Sequence, residues 1–176
     1  MSPPFLAPLS AEERDSTYTL VLDLDETLIH NVEYGNESYF LVRPGCEEFI
    51  ELMAKYYEIV IFTAALQEYA DQVVDQIDKK NLIKARLYRQ HTSQNGPFLV
   101  KDLSLLGRDL KKTIIIDNIS DNFILQPDNG IFISTWYDDM KDNFLPEISP
   151  LLVEIVQKQV SDVRVGMRKY RDQVLR

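Results

Sequence analysis

Asp23 and Asp25 stand one residue apart in Asp23-Leu24-Asp25-Glu26-Thr27, directly after the apolar run Tyr18-Thr19-Leu20-Val21-Leu22. That run predicts a buried strand, so both carboxylates fall at its C-terminal end. Ligands of open α/β sheets bind in the crevice beyond such ends. Two acids beside an apolar strand are costly unless they hold a metal or take part in chemistry. One can attack as a nucleophile, the next can move a proton, and a divalent cation can offset their charge.

Two further runs finish in groups suited to phosphoryl transfer. Glu58-Ile59-Val60-Ile61-Phe62 ends at Thr63-Ala64, and Thr113-Ile114-Ile115-Ile116 ends at Asp117-Asn118. Lys101 lies between them in Leu99-Val100-Lys101-Asp102. If the three strands are parallel neighbours, their ends meet on one edge and Lys101 can lean over it. Asp23 would then attack phosphorus in line with the leaving oxygen. Asp25 would give that oxygen a proton and later take one from the hydrolytic water. The Thr63 hydroxyl and backbone N–H groups near Ala64 would bind the phosphoryl oxygens, with Lys101 balancing their charge. Mg²⁺ keeps several waters, so Asp23, the Asp25 carbonyl and a side chain from Asp117-Asn118 form a sufficient protein share.

The elements that must position these groups alternate in type. Phe49, Leu52, Met53 and Tyr56 predict an amphipathic helix, and Tyr69, Val73 and Ile77 continue at helical spacing. Residues 85–88 and 130–134 read as further short strands, and 39–42 as a brief one. Residues 31–38 read as a polar loop or hairpin tip, followed by the turn Arg43-Pro44-Gly45. A helical region runs from Ile148 to about Val160. Alternating strands and helices predict a mostly parallel sheet flanked by helices. Residues 1–17 read as a loose Pro-rich arm, 18–161 as the domain, and 162–176 as a charged helical tail.

A chain of 176 residues with 45% hydrophobic content supports a real core. A net charge of −9 argues against nucleic-acid binding that relies on a basic footprint. Cys46 stands alone, which excludes an internal disulfide and suits a reducing compartment. No stretch is long and apolar enough to predict a membrane span.

The motif blocks resemble the haloacid dehalogenase superfamily of phosphohydrolases. Within it, Asp23 to His30, Phe62-Thr63-Ala64, Val100 to Ser104, Leu106 to Leu110 and Ile116-Asp117-Asn118 are similar to the small phosphatases of the RNA polymerase II C-terminal domain. Pro127-Asp128-Asn129 and Trp136-Tyr137-Asp138 extend the resemblance from about Thr19 to Ser161. It implies a three-layer Rossmann-like fold without a large cap domain, and Mg²⁺-dependent dephosphorylation of phosphoserine or phosphothreonine in a phosphoprotein or phosphopeptide. By matching positions, Asp23 is the nucleophile, Asp25 the acid/base, and Thr63 and Lys101 hold phosphate. Asn118, with Asp117 beside it, belongs to the metal end. Thr27, Leu66, Tyr69 and Arg89 match positions near the substrate, Leu66 and Tyr69 lining an apolar pocket for a proline.

Relatives of this type carry a longer insertion before the Arg-Pro turn, which completes that pocket. Here only Asn31 to Val42 bridges the gap, which implies a more open cleft and a bulkier or different phosphoprotein. The alternative reading is a scaffold or binding subunit. The receptor of the mitochondrial inner-membrane translocase resembles this family and binds polypeptide. The resemblance implies an intracellular protein, nuclear or cytoplasmic, with mitochondria as the scaffold's compartment and a larger protein assembly as its setting.

Overall fold

A strand buried on both faces needs an almost unbroken apolar run, and two segments of the chain supply one. In the computed structural model, which describes residues 2–174, Tyr18–Leu22 and Thr113–Asp117 are buried at every position. From the N-terminus, the one-turn helix α1 (Ala11–Arg14) leads into β1 (Tyr18–Leu22) and a hairpin of β2 (Ile29–Tyr34) and β3 (Glu37–Val42). Then come α2 (Cys46–Met53), β4 (Tyr57–Phe62), α3 (Gln67–Ile77) and β5 (Ala85–Leu87). A second hairpin, β6 (Ser93–Asn95) and β7 (Phe98–Val100), precedes β8 (Thr113–Asp117), β9 (Gly130–Phe132), α4 (Phe144–Gln157) and α5 (Val163–Val174).

The main sheet has the order β5-β4-β1-β8-β9, and every pair is parallel. Leu22 is level with Ile61 on one side and Ile116 on the other, so β1, β4 and β8 finish together. The chain winds outward from β1 to β4 and β5, then returns to the opposite side of β1 for β8. That reversal opens a crevice at the C-terminal ends beside β1, where ligands of such sheets bind.

Alternate residues of each strand feed two cores. Leu20, Leu22, Ile59, Ile61, Ile114 and Ile116 pack with the apolar stripes of α2 to α5. Val21, Val60, Phe62 and Ile115 pack on the other face with Leu103, Leu106 and Phe123, which lie in or beside short 3-10 turns. The expected parallel sheet flanked by helices is the fold found.

Several local expectations need correction. Of the two readings of residues 31–38, loop or hairpin tip, the hairpin is the one found, with longer strands than expected. These residues belong to a regular antiparallel ribbon turning at Gly35-Asn36, with Gly35 at φ +62°. Asn31, Glu33, Glu37 and Ser38 hid the extent of its strands, because a ribbon half-exposed to water has no need of an apolar pattern. The β6–β7 hairpin was not anticipated. The arm is not loose throughout. Leu6 is buried in the second core, and the Phe5 and Leu6 amides donate to the carbonyls of Leu105 (3.0 Å) and Leu106 (3.1 Å). The charged tail helix joins the main core through Val163 and Met167, while residues 175–176 of the expected tail lie outside the described residues. Among the described residues no helix is long and apolar enough to cross a membrane.

Candidate active site

Three strand ends deliver the charged groups to one point. Lys101, which follows β7, is buried, and its Nζ donates to Asp23 Oδ1 (2.8 Å) and Asp117 Oδ2 (2.6 Å). The backbone N–H of Lys101 is tied to the Asn122 carbonyl at 2.8 Å, which fixes the lysine from below. The other oxygen of Asp23, Oδ2, accepts from Thr27 Oγ1 at 3.0 Å. The same hydroxyl oxygen lies 3.3 Å from Asn118 Oδ1. The two oxygens of Asp23 therefore face different neighbours, a cation on one side and Thr27 with Asn118 on the other.

Asp25 is half-buried, and its Oδ1 accepts from the Tyr69 hydroxyl at 2.7 Å. The chain turns sharply just after it, because Glu26 adopts φ +60°, a region costly for a residue with a side chain. Two hydrogen bonds hold that turn: Glu26 N donates to Ile29 O (2.7 Å), and Trp136 N donates to Glu26 O (2.9 Å). Thr63 is buried at the end of β4, and its Oγ1 accepts from Ala65 N at 3.0 Å across Ala64. Arg89 is exposed and donates from Nε to the Ala64 carbonyl at 2.7 Å, so it braces the Thr63-Ala64 turn. Leu66, the extended residue that precedes the first turn of α3, is 59% exposed.

The sequence-predicted residues thus fall into two groups. Asp23, Thr27, Lys101, Asp117 and Asn118 form one hydrogen-bonded cluster. Thr63, Ala64, Leu66, Tyr69 and Arg89 share the adjoining sheet edge, and Tyr69 reaches into the site through Asp25. Thr27 sits beneath Asp23, fully buried, and orients it. Asp117 is engaged by protein donors at both oxygens: Lys101 and Asn122 at Oδ2, Ile119 N and Asn122 at Oδ1.

Two residues that hold the site had no legible signal. Asn122 clamps Asp117, but an asparagine in a polar stretch reads as a turn. Arg43 reads as part of a turn before Pro44, yet it is fully buried. It makes a bidentate pair with Asp142 (2.7 and 2.9 Å) and donates to the carbonyls of Thr27 (3.2 Å) and Ser134 (3.0 Å). Thr135, next to Ser134, accepts from Asn118 Nδ2 at 3.2 Å. Arg43 therefore fastens the Asp23-to-Thr27 segment to the loop that orients Asn118.

A family profile described as NLI interacting factor-like phosphatase matches residues 18–164. The chain belongs to the NLI interacting factor-like phosphatase family. Similar family members include a probable C-terminal domain small phosphatase of Dictyostelium discoideum, 40% identical over 170 residues, covering 88% of this chain and 55% of that protein. The human carboxy-terminal domain RNA polymerase II polypeptide A small phosphatase 2 is 37% identical, covering 85% of this chain and 61% of that protein. The chain thus spans little more than half the length of these relatives. The solved structure of fission yeast Fcp1, an RNA polymerase II CTD phosphatase, shares the fold over 92% of this chain and 56% of that one, with a TM-score of 0.58 at 20% identity.

In this family member, burial pushes the Asp23 carboxyl up to about 7, Lys101 draws it down and Asp117 pushes it up again. Burial also raises Asp25, against the lowering effect of the Tyr69 hydroxyl. For Lys101, burial works against the ammonium, and the carboxylates of Asp23 and Asp117 outweigh it to hold its pKa above the ordinary value. Among the described residues no three His, Cys, Asp or Glu side chains converge as a metal cage. The donors present are nonetheless of the right kind for Mg²⁺, which takes few protein oxygens and several waters. Asp23 Oδ2 and Asn118 Oδ1 both lie within hydrogen-bond distance of one Thr27 hydroxyl, so a carboxylate and an amide oxygen are side by side.

Proposed function

We propose that this chain is a Mg²⁺-dependent protein serine/threonine phosphatase that works through an aspartyl-phosphate on Asp23. The observation that carries the reading is the buried Lys101 ammonium between Asp23 and Asp117, with Thr27 on the far oxygen of Asp23. A cation fixed at the nucleophile's shoulder is what incoming phosphoryl oxygens require.

The residues divide the work as follows. Asp23 Oδ1, on the Lys101 side, bonds to phosphorus as the bond to the leaving serine or threonine oxygen breaks. Asp25, whose carboxyl burial shifts toward the protonated form, gives that oxygen its proton. It then takes a proton from the water that cleaves the aspartyl-phosphate and releases inorganic phosphate. Thr63 and the backbone beside Ala64 hold the equatorial oxygens with Lys101. Asp23 Oδ2, the Asp25 carbonyl and Asn118 would hold Mg²⁺, which when bound offsets the joint charge of carboxylate and phosphate. Asp117 serves by holding Lys101.

The names of the curated relatives make the RNA polymerase II C-terminal domain the leading candidate substrate, and a nuclear or cytoplasmic location belongs to the same reading. Residues 18–161 are assigned as the catalytic domain, with 1–17 as an arm and 162–176 as a tail. Turnover of p-nitrophenyl phosphate and of a phosphoserine peptide, with Mg²⁺, tests the proposal. Asp23→Asn should reduce both by roughly a thousandfold or more while the domain stays folded. EDTA should silence the wild type and added Mg²⁺ should restore it. Undiminished turnover by Asp23→Asn would refute the role.

A further inference from the structure

The segments that carry Lys101 and Asp117 run side by side and end in an unusual surface. Lys101 N donates to Asn122 O (2.8 Å), Leu103 N to Gln126 Oε1 (3.0 Å), and Gln126 Nε2 to Asp102 Oδ1 (2.8 Å). On these paired segments stand Phe98, Leu99, Ile119, Ile124 and Leu125, each with 41% to 50% of its surface exposed. Phe98 and Leu99, neighbours in β7, face opposite ways, so one of them stands with Ile119, Ile124 and Leu125. Single exposed apolar residues are ordinary, but four on two adjoining segments need a reason. Folding does not supply one, since Leu103 and Phe123 of the same segments already fill the core beneath and Val100 is buried as well.

We infer that this apolar shelf docks hydrophobic residues of the phosphoprotein substrate on the side of the phosphate opposite Leu66 and Tyr69. The inference rests on the phosphatase reading and adds a substrate class to it: phosphoserine or phosphothreonine flanked by an aliphatic or aromatic residue. Three observations favour substrate over any other occupant. The shelf stands on the segments that build the site, since the strand bearing Phe98 and Leu99 delivers Lys101, and Ile119 N donates to Asp117 Oδ1. Its chemistry is apolar and not basic. Lys101, which is buried, is the only Lys or Arg between 93 and 107, and none stands between 118 and 129. Its place matches a peptide crossing the sheet edge, with β4 and α3 on one flank of Asp23 and this shelf on the other.

The test compares phosphoserine peptides with leucine scanned through the flanking positions against serine-flanked controls, with p-nitrophenyl phosphate as the reference. The enzymes are wild type, Phe98→Ser and Leu125→Ser, and Ile124→Ser replaces either variant that loses aryl turnover. At the position that reaches the shelf, leucine should raise wild-type kcat/KM about tenfold over serine. The variants should lose that gain and keep wild-type turnover of p-nitrophenyl phosphate. Equal rates on leucine and serine peptides, or variants that retain the gain, would overturn the proposal. So would unchanged peptide rates together with a change in self-association by sedimentation, which would assign the shelf to a second copy of the chain. Absent aryl turnover in the wild type would instead remove the phosphatase reading, a result separate from a failed leucine scan.

Discussion

Lys101 is the side chain on which the site's charge balance depends. It is buried between two carboxylates, and removing a partner from a buried ion pair leaves an uncompensated charge. Lys101→Met should therefore destabilise the fold by about 3 kcal/mol in urea unfolding, and adding Asp117→Asn should recover part of the loss. Asp23 makes a second claim at this scale. With its pKa raised by burial to about 7, the metal-free native chain keeps a proton that the unfolded chain releases near pH 4. That contribution is complete below about pH 4 and is lost as the pH rises through about 7, so stability in EDTA should fall across that window. Mg²⁺ needs the ionised carboxylate, so its affinity by calorimetric titration should weaken by about tenfold per unit below pH 7. Asp23, Asp25, Lys101 and Asp117 were legible because charged residues at the ends of apolar runs are costly. Arg43 and Asn122 were not, because their partners lie far along the chain or in a featureless polar stretch.

At the scale of elements, the short turn Ser120–Phe123 matters more than its length suggests. It presents Asn122 to Asp117 on one side and wedges Phe123 beneath β9 on the other. A Cβ at Gly130 would lie 2.2 Å from the Phe123 ring, so the close approach requires glycine. Gly130→Ala should cost about 1–3 kcal/mol in thermal unfolding, by forcing the ring out of place. It should also slow turnover, because the displaced turn carries the clamp on Asp117. The five strands of the sheet could be read from the sequence because its central strands are almost unbroken apolar runs and its edge strands, β5 and β9, are short but mostly apolar. Of the hairpins, the first showed only as one of two readings of 31–38 and the brief strand 39–42, and the second not at all. Their strands are short or half-exposed, and polar residues are as stable there as apolar ones.

Across the whole molecule, the order β5-β4-β1-β8-β9 brings residues from four distant stretches to one edge, and the sequence implied this through where its apolar runs stop. What it did not convey was the unequal dressing of the sheet. Four α-helices cover one face, while 3-10 turns and the arm cover the other. Proline-rich composition reads as loose chain, and nothing local foretells that Leu6 will find a socket among Leu103, Leu106 and Phe123. That socket lies just downstream of Lys101, so the first residues act as a peg under the loop that holds the ammonium in place. A chain trimmed to begin at Ser10 would still contain every catalytic group, but amide exchange across 101–106 should quicken and phosphate should be gripped less firmly. A segment almost a hundred residues away from the lysine in sequence would then help set how firmly the site holds phosphate.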